Sequence, residues 1–357
     1  MKRLSGKLAQ EYGVTVHRME RIPTPKHTSV FKLRTDLGTY ILKSLHTSRD
    51  RQLFILEAED YLREQGIRIP EVVPTLDGKP YVWWRRNVYV LQRFCPGGPI
   101  NLRSSGKIKR AGSLLGQFHR VSVGFDSELS GRYVGSSSWI REYDDDLASI
   151  QAWKKRESRN PSAKIQAIMP YVRFFQQAGS TARDLLRRNA YFTEWCSLPV
   201  REHFLCHGDL HQRNILCDAA EATIMDWEDV RYDFPSKDLT RLLDSVIAHD
   251  PNWKAKKLHL LLSAYLQENP LTSQQKSLLF VDMAFPHIFE RFLRKKIYVR
   301  MSLNQVKQFL RREKQKTKEL LRRAREGQTA IQQEEASASS GITAAPCHRE
   351  AIRGKMG

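Results

Sequence analysis

Apolar and polar positions alternate along Val30-Phe31-Lys32-Leu33 and again along Thr39-Tyr40-Ile41-Leu42, with the turn-forming stretch Thr35-Asp36-Leu37-Gly38 between them. A two-residue period with such a breaker predicts a β-hairpin. From about Ser48 to Gln65 the period becomes helical. Leu53, Leu56 and Tyr61 form an apolar stripe, Ser48 stands where an N-cap belongs, and Gly66 stands where a helix stops. Tyr81-Val82-Trp83-Trp84 and Val88-Tyr89-Val90-Leu91 read as a second hairpin, followed by Gln92-Arg93-Phe94 and the breaker run Cys95-Pro96-Gly97-Gly98-Pro99. Beyond Ile100 helical spacing dominates. Ile108, Ala111, Leu114, Leu115 and Phe118 line one face over 107–120, and further helices are predicted over 162–189, 235–249, 254–267, 273–298 and 302–325. Three short apolar runs interrupt them: Phe204-Leu205-Cys206, Ile215-Leu216-Cys217 and Thr223-Ile224-Met225. The last two are parted by Asp218-Ala219-Ala220-Glu221 and read as a hairpin. The chain divides into a small strand-rich lobe at 1–95, a larger helical lobe at 96–326, and a tail at 327–357. The tail's Gln, Ala, Ser and Glu content predicts disorder.

Length and charge sharpen this picture. A chain of 357 residues buries enough surface for two lobes. No apolar run is long enough to cross a bilayer, and the start, MKRLSGKLAQEYG, lacks the hydrophobic stretch of a secretory signal. The five cysteines are scattered without a C-x-x-C pair, which suits reduced thiols and a cytoplasmic location. The formal net charge of +20 is uneven: RFLRKK and KQFLRREKQKTKELLRRAR fall between Arg291 and Arg325, opposed only by Glu313 and Glu319. Phe309, Leu310, Leu320 and Leu321 recur at helical spacing there. The stretch is read as the solvated face of a helix with weak, nonspecific attraction for anions. It has no interleaved aromatics and no nucleic-acid motif, so no specific nucleic-acid partner is expected.

The chemistry concentrates in HGDLHQRNIL, starting at His207, and in IMDWED, which follows shortly after it. Asp209 precedes Asn214 by five positions, the H-x-D-x-x-x-x-N spacing. In that pattern the Asp orients or deprotonates an acceptor hydroxyl and the Asn holds a magnesium ion. Asp226 stands where a second carboxylate grips the metal that bridges nucleotide phosphates. A transferring phosphoryl group spreads charge over its oxygens, so a protein mainly positions groups and supplies cations. Lys43, at the end of the second strand, suits a phosphate contact. It needs a glutamate partner from the following helix, Glu57 or Glu59, with Glu57 preferred. No glycine-rich loop joins the first strands. Pro25-Lys26-His27-Thr28-Ser29 stands there, and the Thr28 and Ser29 hydroxyls are the candidate phosphate contacts. The backbone of Gln92 to Phe94 is expected to meet adenine. His207 is read as bracing the loop, His211 as lying behind the site or near phosphate, and Asp238 as capping its helix or bracing the loop. A zinc pair at His207 and His211 is disfavoured, because Gly208 lies inside it and no Glu follows the first His.

These residues resemble the aminoglycoside phosphotransferase and choline kinase superfamily. The resemblance implies an α+β, bilobal protein-kinase-like fold with a small antiparallel β-lobe and a larger helical lobe. It also implies ATP and Mg2+ as cofactors, Asp209 as catalytic base, Asn214 and Asp226 as metal ligands, and Lys43 on phosphate. GTYILKS, LLGQFHRVSVGF, the helix around Trp153, VRYDFPSKDLTRLL and MAFPHIFERF are similar to the spore coat protein S family. That likeness implies a sporulating bacterium, with spore coat proteins as possible partners, and leaves the acceptor open. The expected activity is phosphoryl transfer to the hydroxyl of a small molecule such as a sugar or amino alcohol. The alternative is a structural or assembly protein of the coat with little or no turnover. The basic charge argues against an aminoglycoside acceptor, although Asp144–Asp146, Glu228, Asp229 and Asp233 supply local acid. A protein kinase is disfavoured by the missing glycine loop, the D-W-E triplet and the absent A-P-E segment.

Overall fold

Alternation along the first hundred residues builds a five-stranded antiparallel sheet in the computed structural model, which describes residues 2–24, 28–45, 47–135, 138–218 and 221–340. Helix α1 (Lys2–Tyr12) leads into β1 (Val16–Ile22), β2 (Thr28–Thr35), β3 (Gly38–Leu45), helix α2 (Arg49–Glu64), β4 (Val82–Trp84) and β5 (Asn87–Arg93). The strand order is β1-β2-β3-β5-β4. Helix α1 and strand β1 were not anticipated. Leu4, Leu8 and Tyr12 on one side of α1 pack with Leu33, Tyr40, Leu42 and Leu91 of the sheet to form one core.

The opposite face of the sheet meets α2 in a much smaller cluster of Leu56, Val88 and Val90. The remaining buried side chains of α2 turn away from the sheet. Phe54, Ile55, Ala58 and Leu62 belong to the large core shared with the helical part of the chain. The Ser48 hydroxyl caps α2 by accepting the Arg51 amide at 3.2 Å.

The rest of the chain runs through β6 (Gly98–Pro99), α3 (Ser105–Ser122), α4 (Trp139–Glu157), α5 (Ala163–Arg187), α6 (Ala190–Ser197), β7 (Phe204–Cys206), β8 (Ile215–Cys217), β9 (Ala222–Ile224) and β10 (Arg231–Asp233). Helices α7 (Ser236–Ile247), α8 (Ala255–Glu268), α9 (Ser273–Ala284), α10 (His287–Arg294) and α11 (Leu303–Ser340) follow. Helices α3 and α8 cross closely because α3 presents Gly112 and Gly116. A Cβ at either would lie 2.5 Å from the carbonyl oxygen of Leu261 or Tyr265.

Two expectations change here. The single helix expected over 273–298 is broken at Phe285-Pro286, because a residue before proline is driven out of the helical region and Phe285 is extended. The tail expected to begin at 327 continues α11 to Ser340. A Cβ on Gly327 would lie 3.6 Å from Ser277, and Gln328 Nε2 donates to the Leu185 carbonyl at 3.1 Å. Its Ala, Gln and Glu residues are good helix formers. Residues 341–357 lie outside the described residues.

Candidate active site

The loop after β7 is fixed from beneath by α7. Strands β7 and β10 pair, with Cys206 opposite Arg231, and deliver His207 and Gly208 to the cleft. Gly208 has φ +79°, and a Cβ there would lie 2.5 Å from the Asp229 carbonyl oxygen, so only glycine fits without strain. Asp238, in the first turn of α7 and fully buried, accepts the amides of His207 at 2.6 Å and Gly208 at 3.0 Å. His119 Nε2 lies 3.2 Å from the same carboxylate and its Nδ1 lies 3.0 Å from the Tyr265 hydroxyl. Burial alone would raise Asp238, but His119 and the loop amide outweigh it and hold the carboxyl below its usual range. His119, Cys206 and Asp238 are close enough to suggest a metal cluster. Each is already engaged within the protein, Cys206 through the Phe234 carbonyl at 3.3 Å, so the trio braces the loop. His207 accepts the Asp209 amide on Nδ1 at 3.3 Å. Its Nε2 must then carry the proton, donated to the Met225 carbonyl at 2.7 Å.

Around this brace the polar groups converge. The Asp209 carboxylate pairs with Arg241 of α7. Asn214 Nδ2 donates to the Asp209 carbonyl at 3.1 Å, and the Met225 amide donates to the Asn214 carbonyl at 2.8 Å. That bond ties the start of β8 to the end of β9 and sets Asn214 near Asp226. Asp226 takes a left-handed backbone, φ 63°, which a residue with a Cβ adopts at a cost of about 1–2 kcal/mol. Its carboxylate, half exposed, pairs with Lys43 of β3. Burial works against the Lys43 ammonium, but Asp226 and Glu228 more than offset it and hold the group protonated. Glu228 also accepts from Thr28 at 3.4 Å through its carboxylate and from Arg51 of α2 at 2.8 Å through its carbonyl. The small sheet and α2 therefore both reach the D-W-E segment.

Several expected roles move. Glu59, not Glu57, faces Lys43. Burial pushes the Glu59 carboxyl up to about 7, with Lys43 opposing. Glu57 lies on the exposed side and accepts from the Ser127 hydroxyl. Two residues apart on a helix means about 200° around it, so only one of the pair can face the strand. Thr28 shares the face of β2 that carries Val30, the partner of Lys43, whereas Ser29 points to the other face. Pro25–His27 lie outside the described residues. The N–H groups of Arg93 and Phe94 donate to the carbonyls of Glu71 at 2.8 Å and Thr39 at 3.3 Å. Gln92 is buried and turns its side chain into a cavity of about 20 Å³ behind Lys43, shared with Gln52, Glu59 and Trp227. The Phe94 ring lies under Lys32 at 4.2 Å. His211 sits beside Asp209 and is pushed down by burial, with Asp209 opposing. Its Nδ1 has no hydrogen-bond partner among the described residues.

Residues 19–271 match the model of the APH family, the phosphotransferase enzyme family. The chain belongs to that family. Spore coat protein S of Bacillus subtilis strain 168 is 25% identical over 262 residues, spanning 73% of this chain and 74% of that protein. An aminoglycoside phosphotransferase from Alicyclobacillus acidocaldarius superposes with a TM-score of 0.69 at 15% identity, covering 89% of this chain and 94% of that one. Amicoumacin kinase in complex with AMP-PNP, Ca2+ and Ami superposes at 0.60 with 17% identity, covering 89% and 93%. The fold is the bilobal, protein-kinase-like α+β architecture of these phosphotransferases.

On the far side of Gly208 this phosphotransferase has a pocket of about 220 Å³ whose walls include Thr240 and Arg241 of α7 and His287 and Arg291 of α10. His287 bridges Asp146 at 3.3 Å and the buried Asp282 at 3.2 Å. Asp282 also accepts from Tyr143 at 2.6 Å and Lys237 at 3.2 Å. Burial works against charge on His287, but the two aspartates prevail and raise it. Sequence reasoning missed Arg241, although one helical turn separates it from Asp238 on α7, so the two share a face.

Proposed function

We propose that this phosphotransferase moves the γ-phosphate of ATP to a hydroxyl of a small molecule bound beside Asp209, with magnesium as the metal. The observation that carries this reading is the meeting of Lys43, Asp226, and the loop residues Asp209 and Asn214, from three separate segments, at one cleft. The donor set fits a hard divalent cation. Asp226 offers carboxylate oxygens, and Asn214 commits its Nδ2 to the protein, which leaves an amide oxygen for the cation. A magnesium ion held by these two residues would offset charge on the nucleotide phosphates.

The remaining work falls to the side chains. Lys43 places a protonated ammonium against the phosphates, and Glu59 stands behind it. Asp209 accepts the hydroxyl proton as the acceptor oxygen bonds to phosphorus and the bond to the ADP oxygen breaks. Arg241 fixes the Asp209 carboxylate, and the amides and rings around Asp238 fix the loop. The likeness to spore coat protein S supports association with the coat of a spore, and a coat-assembly role without turnover is the competing reading.

The test is transfer of labelled γ-phosphate from ATP with magnesium across a panel of sugars, amino alcohols and aminoglycosides, wild type beside Asp209→Ala. Label on one acceptor, reduced roughly 10²–10⁴-fold in the variant while its thermal unfolding is unchanged, is the expected result. Undiminished transfer by Asp209→Ala would remove Asp209 from the proton step. ATP binding with no transfer to any acceptor would favour the coat scaffold.

A further inference from the structure

Helix α11 carries Lys307, Arg311, Lys314, Lys318 and Arg325 along one side. At about 100° per residue these positions fall within an arc of about 60°, and at about 1.5 Å rise they form a line about 27 Å long. None of the five makes an ion pair among the described residues. Arg322, close by, is instead neutralised by Glu319 at 2.9 Å and Glu326 at 2.6 Å. Lys314 lies over the rings of Tyr171 and Phe174 at 5.5 and 5.2 Å, and the other four are exposed. The neighbouring side of α11, about 100° round the helix, is buried through Val306, Leu310, Thr317, Leu320 and Ala324, so the helix is fixed with the line along its exposed border. Like charges three and four residues apart oppose helix formation, so intramolecular stability does not account for this arrangement.

A second feature stands at the start of the line. The turn Ile297–Arg300 exposes Ile297 at 39% and Val299 at 58%, next to Lys295, Lys296 and Arg300. Lys164 holds the turn by donating to the Val299 carbonyl at 2.9 Å. A line of cations ending in exposed aliphatic side chains suits the boundary of an anionic bilayer, where headgroups meet the charges and acyl chains meet the aliphatics. A single-stranded nucleic acid would call for aromatic platforms, and the exposed large side chains at this turn are aliphatic. We propose that α11 and the Ile297–Arg300 turn form a docking surface for an anionic lipid bilayer, on which the enzyme rests without spanning it.

The full chain would be sedimented with vesicles of phosphatidylglycerol in phosphatidylcholine, and with phosphatidylcholine alone, at low and high salt. The protein should pellet only with the anionic vesicles, and less at high salt. Lys307→Glu with Lys318→Glu should weaken this by roughly tenfold or more. Both changes place a glutamate four residues before an arginine, Arg311 and Arg322, a pairing that favours the helix, so circular dichroism should stay unchanged. Val299→Ser should weaken binding at both salt levels. Failure to pellet with anionic vesicles overturns the proposal. Binding a single-stranded oligonucleotide as tightly as the vesicles, with Val299→Ser indifferent, also overturns it and assigns the line to a polyanion.

Discussion

Glu57 and Glu59 differ by two positions, and the structure separates their fates completely. Glu59→Ala should weaken ATP binding by roughly tenfold, through loss of the carboxylate's longer-range attraction for Lys43, whereas Glu57→Ala should leave it unchanged, as isothermal titration would show. Glu59 also sets a pH dependence. Its carboxyl titrates near 4.5 when unfolded and near 7 when buried, so the native state holds the extra proton between those values. Stability from this group is complete below about pH 4.5 and is lost as pH rises through about 7. Glu59→Gln should flatten that part of the profile of urea midpoint against pH, and an unchanged slope would show that Glu59 is not the group responsible. Residue types and spacing singled out Asp209, Asn214, Asp226 and Lys43 in the sequence, and short apolar runs nearby marked the strands β3, β7, β8 and β9 that carry or flank them. Arg241 and Glu59 were harder. Choosing between helix faces requires knowing what each face packs against, and that is a property of the folded chain.

At the scale of elements, the crossing of α3 and α8 depends on two side chains that are missing. Alanine in place of glycine inside a helix ordinarily gains about 1 kcal/mol. Gly116→Ala should instead cost about 1–3 kcal/mol, because the new methyl meets the Tyr265 carbonyl. The sign of the change in thermal midpoint decides between propensity and packing. Long amphipathic stretches such as 107–120 and 254–267 were readable from their periodicity, since the buried face dominates the pattern. The break at Pro286 was missed because apolar residues continue on both sides of it, and backbone sterics had to outrank that pattern. Strand β1 was also unread. It is an edge strand whose pattern of burial is mostly exposed, so alternation gave little signal.

Across the whole molecule, α11 spans two cores, as α4 and α5 also do. Leu320, Leu321 and Ala324 enter the large one, while Val306, Phe309 and Leu310 enter a second around Phe175 and Phe289. Each large apolar side chain left in water forfeits about 1.5–3 kcal/mol, and a domain has only about 5–15 kcal/mol to lose. A chain ending at Ser302 should therefore show no cooperative thermal transition. Composition made the basic charge visible but not its alignment, which exists only once the helix is seated. The division of cores also bears on motion. Helix α2 is anchored to the helical part through Phe54, through the Tyr61 hydroxyl on the Val123 carbonyl at 3.1 Å, and through Arg51, and it touches the sheet through little more than Leu56. If the sheet swings about the stretch after Arg93, it slides past α2, carrying Lys43 while Glu59 stays behind. The gap between those two side chains then works as a gauge of cleft angle. Spin labels on β1 and α2 should change separation when nucleotide is added, while labels on α2 and α3 should hold theirs.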